Sequence, residues 1–322
     1  MATPFCLALR RRFPTAAVSI LCRSYVADVF RGNPAADLVT EYVRGDVPRS
    51  MVAARRMRPR VGFDVCFVMP PSFAAALIAL SSGARRRVGY RFEGRSFLLT
   101  DSLPTSRYRA GHLSAAYLGL LEHVTGIREA DLPLPAVTPP AGWRETAHGL
   151  TGERDYIVLA PGATYGSSKV WPIDRFGSLA RRLADQTGWT IVVVGAAGER
   201  SVGSRILAEA GIAGENLAGA TTLGELISIL RGARITIGND SGPVHLAAAL
   251  GRPTVAVFGP TSIEWTAPRG VAVRIVRGEA ACSPCFKREC PAGTLECLLM
   301  VDVDEVYHAA ARLIEEDTGG KQ

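Results

Sequence analysis

The sequence predicts an α/β protein built from two doubly wound, parallel-sheet domains. Apolar runs of strand length alternate with amphipathic helical stretches along most of the chain, the pattern that covers a parallel sheet with helices on both faces. At 322 residues the chain exceeds one ordinary core and suits two. A proline-rich stretch near the middle separates the two sets of alternations. The expected division is residues 1–130 as the first domain, 131–150 as a linker and 151–322 as the second domain.

Residues 2–12 have a helical pattern that Phe13 and Pro14 end, and residues 17–22 follow as a strand. The chain thus opens on a helix. Residues 38–42 read as a strand, 49–57 as a helix, 64–69 as a strand and 72–82 as a helix. Residues 65–84 form an uncharged stretch long enough to raise the question of a membrane span. Pro70 and Pro71 divide it into a strand and a helix that begins near Ser72, which answers the question. Residues 85–109 read as a basic, irregular segment, and a helix over 110–124 closes this half. Pro133, Pro135, Pro139 and Pro140 then stiffen the linker.

In the second half, strands are expected at 156–160, 190–195, 234–237 and 254–258. Helices are expected at 173–186, 200–210, 223–231, 242–250 and 304–315, the last returning across the junction toward the first domain.

Composition narrows the function classes. Hydrophobic residues make up 48% of the chain and charged residues 21%, which excludes a disordered, collagen-like or coiled-coil protein. A formal charge of +7, carried mostly by arginine, suits an anionic partner. Nucleic acid is the weaker choice, because aromatics are only 7% and no zinc-finger, helix-turn-helix or RNP-type pattern is present. No basic region precedes the first apolar residues, and Arg10 to Arg12 follow them, the reverse of a secretory signal. The expected location is the cytoplasm.

Two strand-to-helix junctions carry the chemistry. In Gly238-Asn239-Asp240-Ser241-Gly242-Pro243-Val244-His245 a buried strand turns through small polar residues into a helix with Pro243 in its first turn. Free backbone N–H groups and the helix dipole make such a junction a site for a diphosphate. Alternatively, Asp240 and Ser241 simply cap the helix. In the second junction, Pro161-Gly162-Ala163-Thr164 leaves a strand and Lys169 follows. Gly162 lets backbone approach a ligand, while Thr164 and Lys169 offer a hydroxyl and a positive charge to phosphate oxygens. Both junctions are expected at the same end of the sheet, where open α/β sheets bind ligands.

The segments PGATYGSSKVWP, VVVGAAGE, NLAGATTLGEL and GNDSGPVHLAAALGRPTVAVFGPTS together resemble the signatures of the glycosyltransferase family 9 heptosyltransferases. The ending CSPCFKRECPAGTLEC resembles the heptosyltransferase II branch. The resemblance implies a GT-B architecture, two Rossmann-like domains facing a central cleft. It also implies inverting transfer of heptose from ADP-L-glycero-D-manno-heptose to the heptose-Kdo-lipid A inner core of lipopolysaccharide, without cofactor or metal, at the inner face of the cytoplasmic membrane. Carried onto matching positions, Thr164 and Lys169 bind the diphosphate and Lys169 stabilises the leaving group. Asp240 holds heptose hydroxyls, Ser241 and Gly242 offer backbone donors, and His245 supports them. Glu199 contacts the ribose, and residues 217–223 border the adenine.

Members of this family normally open with a strand and a Gly-Asp loop before a start like Met1-Ala2-Thr3-Pro4. The resemblance therefore places the first strand of the N-terminal domain, and the catalytic base, upstream of Met1. A misassigned start codon or a truncated sequence is the favoured explanation. The alternatives are a catalytically inactive sugar-nucleotide-binding protein and a family 9 transferase with another acceptor. In the first domain the arginines, Arg91 and Arg95 in particular, are expected to meet the acidic acceptor. Seven cysteines without secretory context argue against a disulfide framework. Cys282, Cys285, Cys290 and Cys297 offer four thiols for a tetrahedral ion, but their spacing fits loosely and reduced thiols in a loop are the simpler expectation.

Overall fold

The computed structural model describes residues 1–43, 45–128 and 132–319. The chain forms two compact units, Met1–Thr138 and Pro139–Gln322.

The first unit opens on helix α1 (Thr3–Arg12), followed by strands β1 (Ser19–Arg23) and β2 (Leu38–Tyr42). Helix α2 (Val47–Arg56), β3 (Val65–Val68), α3 (Phe73–Ser81), β4 (Arg86–Tyr90), β5 (Asp101–Leu103) and α4 (Leu113–Thr125) complete it. All strand pairings are parallel, but they fall into two sheets, β1-β2 and β3-β4-β5. The core between β3 and α3 is built on Val68, Ala76, Ala79, Leu98 and Leu99.

The basic stretch 85–109 is not irregular, since it contains β4 and β5. Its arginines disguise the strands by serving as struts. Arg86 bonds Asp101 on β5 at 2.6 Å, and the Arg87 guanidinium donates to the carbonyls of Leu98 and Ala84. Val88 and Tyr90 on the same strand are buried, and the Tyr90 hydroxyl donates to the Ala116 carbonyl on α4 at 2.6 Å.

In the second unit, α5 (Trp143–Thr151) occupies part of the expected linker and packs on α8 (Leu223–Gly232). The prolines stop at Pro140, and past them Ala147 is free to bury itself in a helical face. Asp131, at the start of that linker, lies outside the described residues. The remaining elements are β6 (Tyr156–Ala160), α6 (Ile173–Thr187), β7 (Thr190–Val193), α7 (Arg200–Ala210), β8 (Gly214–Asn216), β9 (Ile235–Asn239), α9 (Gly242–Ala249) and β10 (Thr254–Phe258). Then follow α10 (Ile263–Thr266), β11 (Val273–Arg277), α11 (Glu296–Leu299) and α12 (Val303–Gly319).

The six strands are all parallel in the order β11-β10-β9-β6-β7-β8. From β6 the chain winds outward through β7 and β8, then returns to lay β9, β10 and β11 on the other side. The switch point therefore lies between β6 and β9, whose carboxyl ends define the place where such sheets hold ligands. Every residue of β6, β9 and β10 is buried, which is why these strands read as continuous apolar runs. Trp171, Phe176, Leu179 and Leu183 pack on one face of the sheet. The last helix, α12, packs on α6 and on β9, β10 and β11 of this same unit.

Candidate functional site

Strands β6 and β9 are direct neighbours with Ala160 beside Gly238, so the loops that follow them leave the sheet side by side. Asn239 locks the two together. It is fully buried, accepts from the Trp171 amide at 3.1 Å, and donates to the Pro161 carbonyl at 2.5 Å. Trp171 is anchored in turn by its indole N–H, which donates to the Val301 carbonyl. The β6 loop is thus fixed at its first residue and just beyond Lys169.

That geometry brings Lys169 onto Asp240. The ammonium lies 2.5 Å from Asp240 Oδ2, and the two side chains are only 11% and 4% exposed. The Thr261 hydroxyl donates to the same oxygen at 2.7 Å, and His245 Nε2 lies 3.3 Å from Oδ1. Burial pushes the Asp240 carboxyl up, yet His245, the Lys169 charge and the Thr261 hydroxyl outweigh it and hold the acid below its ordinary value. Asp240 is therefore an ionised hub that orients one cation, one imidazole and one hydroxyl.

Helix α9 begins two residues after Asp240, at Gly242, with Ser241 as its N-cap residue and no side chain capping it. The Ser241 hydroxyl is buried and has no hydrogen-bond partner. The simple capping role for Asp240 and Ser241 is therefore not what the side chains do. An uncapped helix start, carrying the positive end of the helix dipole, opens beside Lys169 and invites an anion.

Glu199 follows β7 and lies against the β6 loop. Its carboxylate accepts from the Ala196 amide at 2.7 Å and occupies the space beside Gly162, where a Cβ would stand 2.1 Å from the carboxylate. Thr164 is exposed in the same loop. The residues expected of the second domain thus lie at the carboxyl ends of β6, β7 and β9. Sequence reasoning gave Asn239 and Thr261 no role, although both stand inside the quoted signature. Their tasks depend on register between neighbouring strands, which spacing along one strand does not reveal.

One expectation is corrected. Arg95 is fully buried, and its guanidinium donates to the carbonyls of Tyr90, Pro70 and Ser72, so it clamps the loop between β3 and α3 and is no surface contact for an acceptor. Arg91 donates to the carbonyl and hydroxyl of Ser102 at 3.2 Å and remains exposed there. Among the described residues, no three His, Cys, Asp or Glu side chains are grouped to hold a metal, so Cys282, Cys285, Cys290 and Cys297 do not form a ready tetrathiolate site. Burial, then the neighbouring thiols of Cys282, Cys285 and Cys290, raise the Cys297 thiol. Backbone amides led by that of Leu295 lower the Cys290 thiol.

The cysteine-rich segment instead braces the site. Ser283 and Phe286 bond the carbonyls of Gly259 and Pro260 after β10. The Tyr165 hydroxyl donates to the Phe286 carbonyl, and Ser168 donates through its hydroxyl to Lys287 and through its amide to Arg288.

The family model for glycosyltransferase family 9 (heptosyltransferase) matches residues 53–296. Lipopolysaccharide heptosyltransferase 2 of Escherichia coli strain K12 is 30% identical over 285 residues, spanning 84% of this chain and 81% of that protein. Lipooligosaccharide heptosyltransferase 2 of Haemophilus influenzae is 30% identical over 300 residues, 87% of this chain and 80% of that protein. Among solved structures, the E. coli ADP-heptose LPS heptosyltransferase II superposes with a TM-score of 0.84 at 25% identity, covering 98% of this chain and 95% of that one. A glycosyl transferase family 9 protein from Veillonella parvula, at 21% identity, shares the fold with a TM-score of 0.83 over 98% of this chain and 93% of that one. The chain has the GT-B fold of the heptosyltransferase structures.

Proposed function

The chain belongs to glycosyltransferase family 9 (heptosyltransferase) and is a transferase, and from that premise we propose that it moves heptose from ADP-L-glycero-D-manno-heptose onto the heptose-Kdo-lipid A inner core of lipopolysaccharide. The observation that carries this reading is the uncapped start of α9 beside the Lys169–Asp240 pair at the switch point of the second sheet. Lys169 donates to the Asp240 carboxylate and, at 3.4 Å, to the Asp240 backbone carbonyl, which fixes the ammonium and leaves its third proton for a phosphate oxygen. The backbone amides at Ser241 and Gly242, with the Ser241 hydroxyl, supply fixed donors on the other side.

In the proposed inverting reaction an acceptor hydroxyl attacks the anomeric carbon, the bond to the diphosphate oxygen breaks, and ADP departs with the bonding electrons. Lys169 and the α9 amides stabilise the charge that gathers on the leaving diphosphate, and because they are already in place they need no reorganisation as it forms. The hydroxyl proton passes to a carboxylate base. In this reading Asp240 takes the heptose hydroxyls, Glu199 the ribose and Arg91 the acceptor. No helix among the described residues is long and apolar enough to cross a membrane. The lipid-linked acceptor places the proposed work at the cytoplasmic face of the inner membrane.

Titration calorimetry with ADP-heptose, ADP and adenosine tests the donor assignment. Saturable binding that strengthens with the diphosphate supports it. Equal affinity for ADP and adenosine, or no binding of ADP-heptose, overturns it.

A further inference from the structure

The segment that braces the β6 loop also delivers a charged side chain to it. Tyr165 is fixed by its hydroxyl bond to the Phe286 carbonyl, and its ring has the Lys169 ammonium 4.8 Å from its centre. The guanidinium of Arg288 lies 5.7 Å from the centre of that same ring. A cation held by an aromatic face is oriented without being neutralised.

The two cations differ in charge balance. Lys169 is ion-paired with Asp240, so that pair contributes little net charge. Arg288 is exposed and has no carboxylate partner among the described residues, unlike Arg86, Arg182, Arg234 and Arg274, which all have one. The backbone around Arg288 is placed closely. Its carbonyl accepts from the Ser168 amide at 3.1 Å, and a Cβ on Gly166 would stand 2.1 Å from that carbonyl oxygen. Only a residue without a side chain lets the two loops approach this far.

We propose that Arg288 is a second phosphate-binding cation of this site, one that pairs its planar guanidinium with oxygens of the donor's diphosphate while the cysteine-rich segment holds it beside Lys169. This deepens the donor reading above and rests on it. The guanidinium presents two parallel N–H groups to a phosphate, which an ammonium cannot do.

Calorimetry with ADP, AMP and adenosine on the intact chain, with Arg288→Gln, Arg288→Lys and Ser168→Ala variants, tests this. Arg288→Gln is expected to weaken ADP binding about tenfold and to leave adenosine nearly unchanged. Arg288→Lys should recover part of the loss, and the salt dependence of ADP binding should flatten in Arg288→Gln only. Ser168→Ala, which loosens the brace but keeps the charge, should weaken ADP less than Arg288→Gln does. Wild-type ADP affinity in Arg288→Gln, or equal losses for ADP and adenosine, would overturn the assignment. Failure of the wild-type chain to prefer ADP over adenosine would instead bring down the donor reading, and this inference with it.

Discussion

The Lys169 ammonium lies 2.5 Å from an Asp240 carboxylate oxygen, although the two residues come from loops after different strands. They meet because β6 and β9 are neighbours at the one place where the sheet changes its direction of winding. Nearly closed to solvent, the pair is positioned by the fold and is not a chance contact of mobile surface chains.

Lys169→Ala should therefore act twice. Turnover should fall about 10² to 10³-fold, the usual cost of losing one preorganised charge. Stability should fall by about 3 kcal/mol, because Asp240 is left buried without its cation. Adding Asp240→Asn to Lys169→Ala should restore much of the stability and none of the turnover. Denaturant titration and acceptor-dependent ADP release check the two halves, and parallel recovery of both would contradict the assignment.

The acid side of the stability profile carries the same signature. Asp240 is held below its ordinary value, and Asp101 is pulled down to about 2, chiefly by its bond to Arg86. A carboxyl depressed in the folded state contributes stability that is fully present above the unfolded value of about 3.9 and is lost as pH falls through the folded value. Stability should thus be insensitive to these two groups near neutrality and should decline from about pH 4 downward. Asp240→Asn and Asp101→Asn should each flatten that decline in urea titrations between pH 5 and pH 2. An unchanged slope in both variants would refute the coupling.

Asn239 binds the two loops through both ends of its amide. Asn239→Ala leaves the buried Trp171 amide unpaired and should cost about 1 to 3 kcal/mol. It also frees the loop that carries Lys169, so the donor KM should rise while the acceptor KM stays fixed. Steady-state kinetics with each substrate varied in turn would show this, and a rise confined to the acceptor would argue against it.

Gly162 and Glu199 compete for one space. A methyl group at Gly162 would displace the Glu199 carboxylate, the flexible end of a side chain, so Gly162→Ala should fold with little loss of stability. Its donor affinity should match that of Glu199→Ala, and the double variant should be no worse than either single one. Fully additive losses would mean that Gly162→Ala does not act by displacing Glu199, and unchanged donor affinity in Glu199→Ala would mean that Glu199 has no part in donor binding.

Much of this was legible in the sequence, for identifiable reasons. The strands Leu38–Tyr42, Tyr156–Ala160 and Thr254–Phe258 have the bounds read from the sequence, and the last two do so because a strand buried on both faces is a continuous apolar run. Arg86–Tyr90 was not recognised, since arginines that act as struts look like solvent-exposed charge. Gly214–Asn216 and Val273–Arg277 lie at the sheet's two edges, where weak burial leaves little pattern to read. That Lys169 and Asp240 leave strand ends on one side of the sheet was legible, because loops after strands in such sheets share that edge. Thr261, Asn239 and the bracing role of the cysteine-rich segment were not, because each depends on contacts between loops that are adjacent only after folding.

The central claim is that Lys169 and the amino end of α9 form one diphosphate site. A crystal structure of the protein with ADP tests it most directly. The account predicts phosphate oxygens within about 3 Å of Lys169 Nζ and of the Ser241 or Gly242 backbone nitrogen. An ordered diphosphate bound away from the carboxyl ends of β6 and β9 would contradict it.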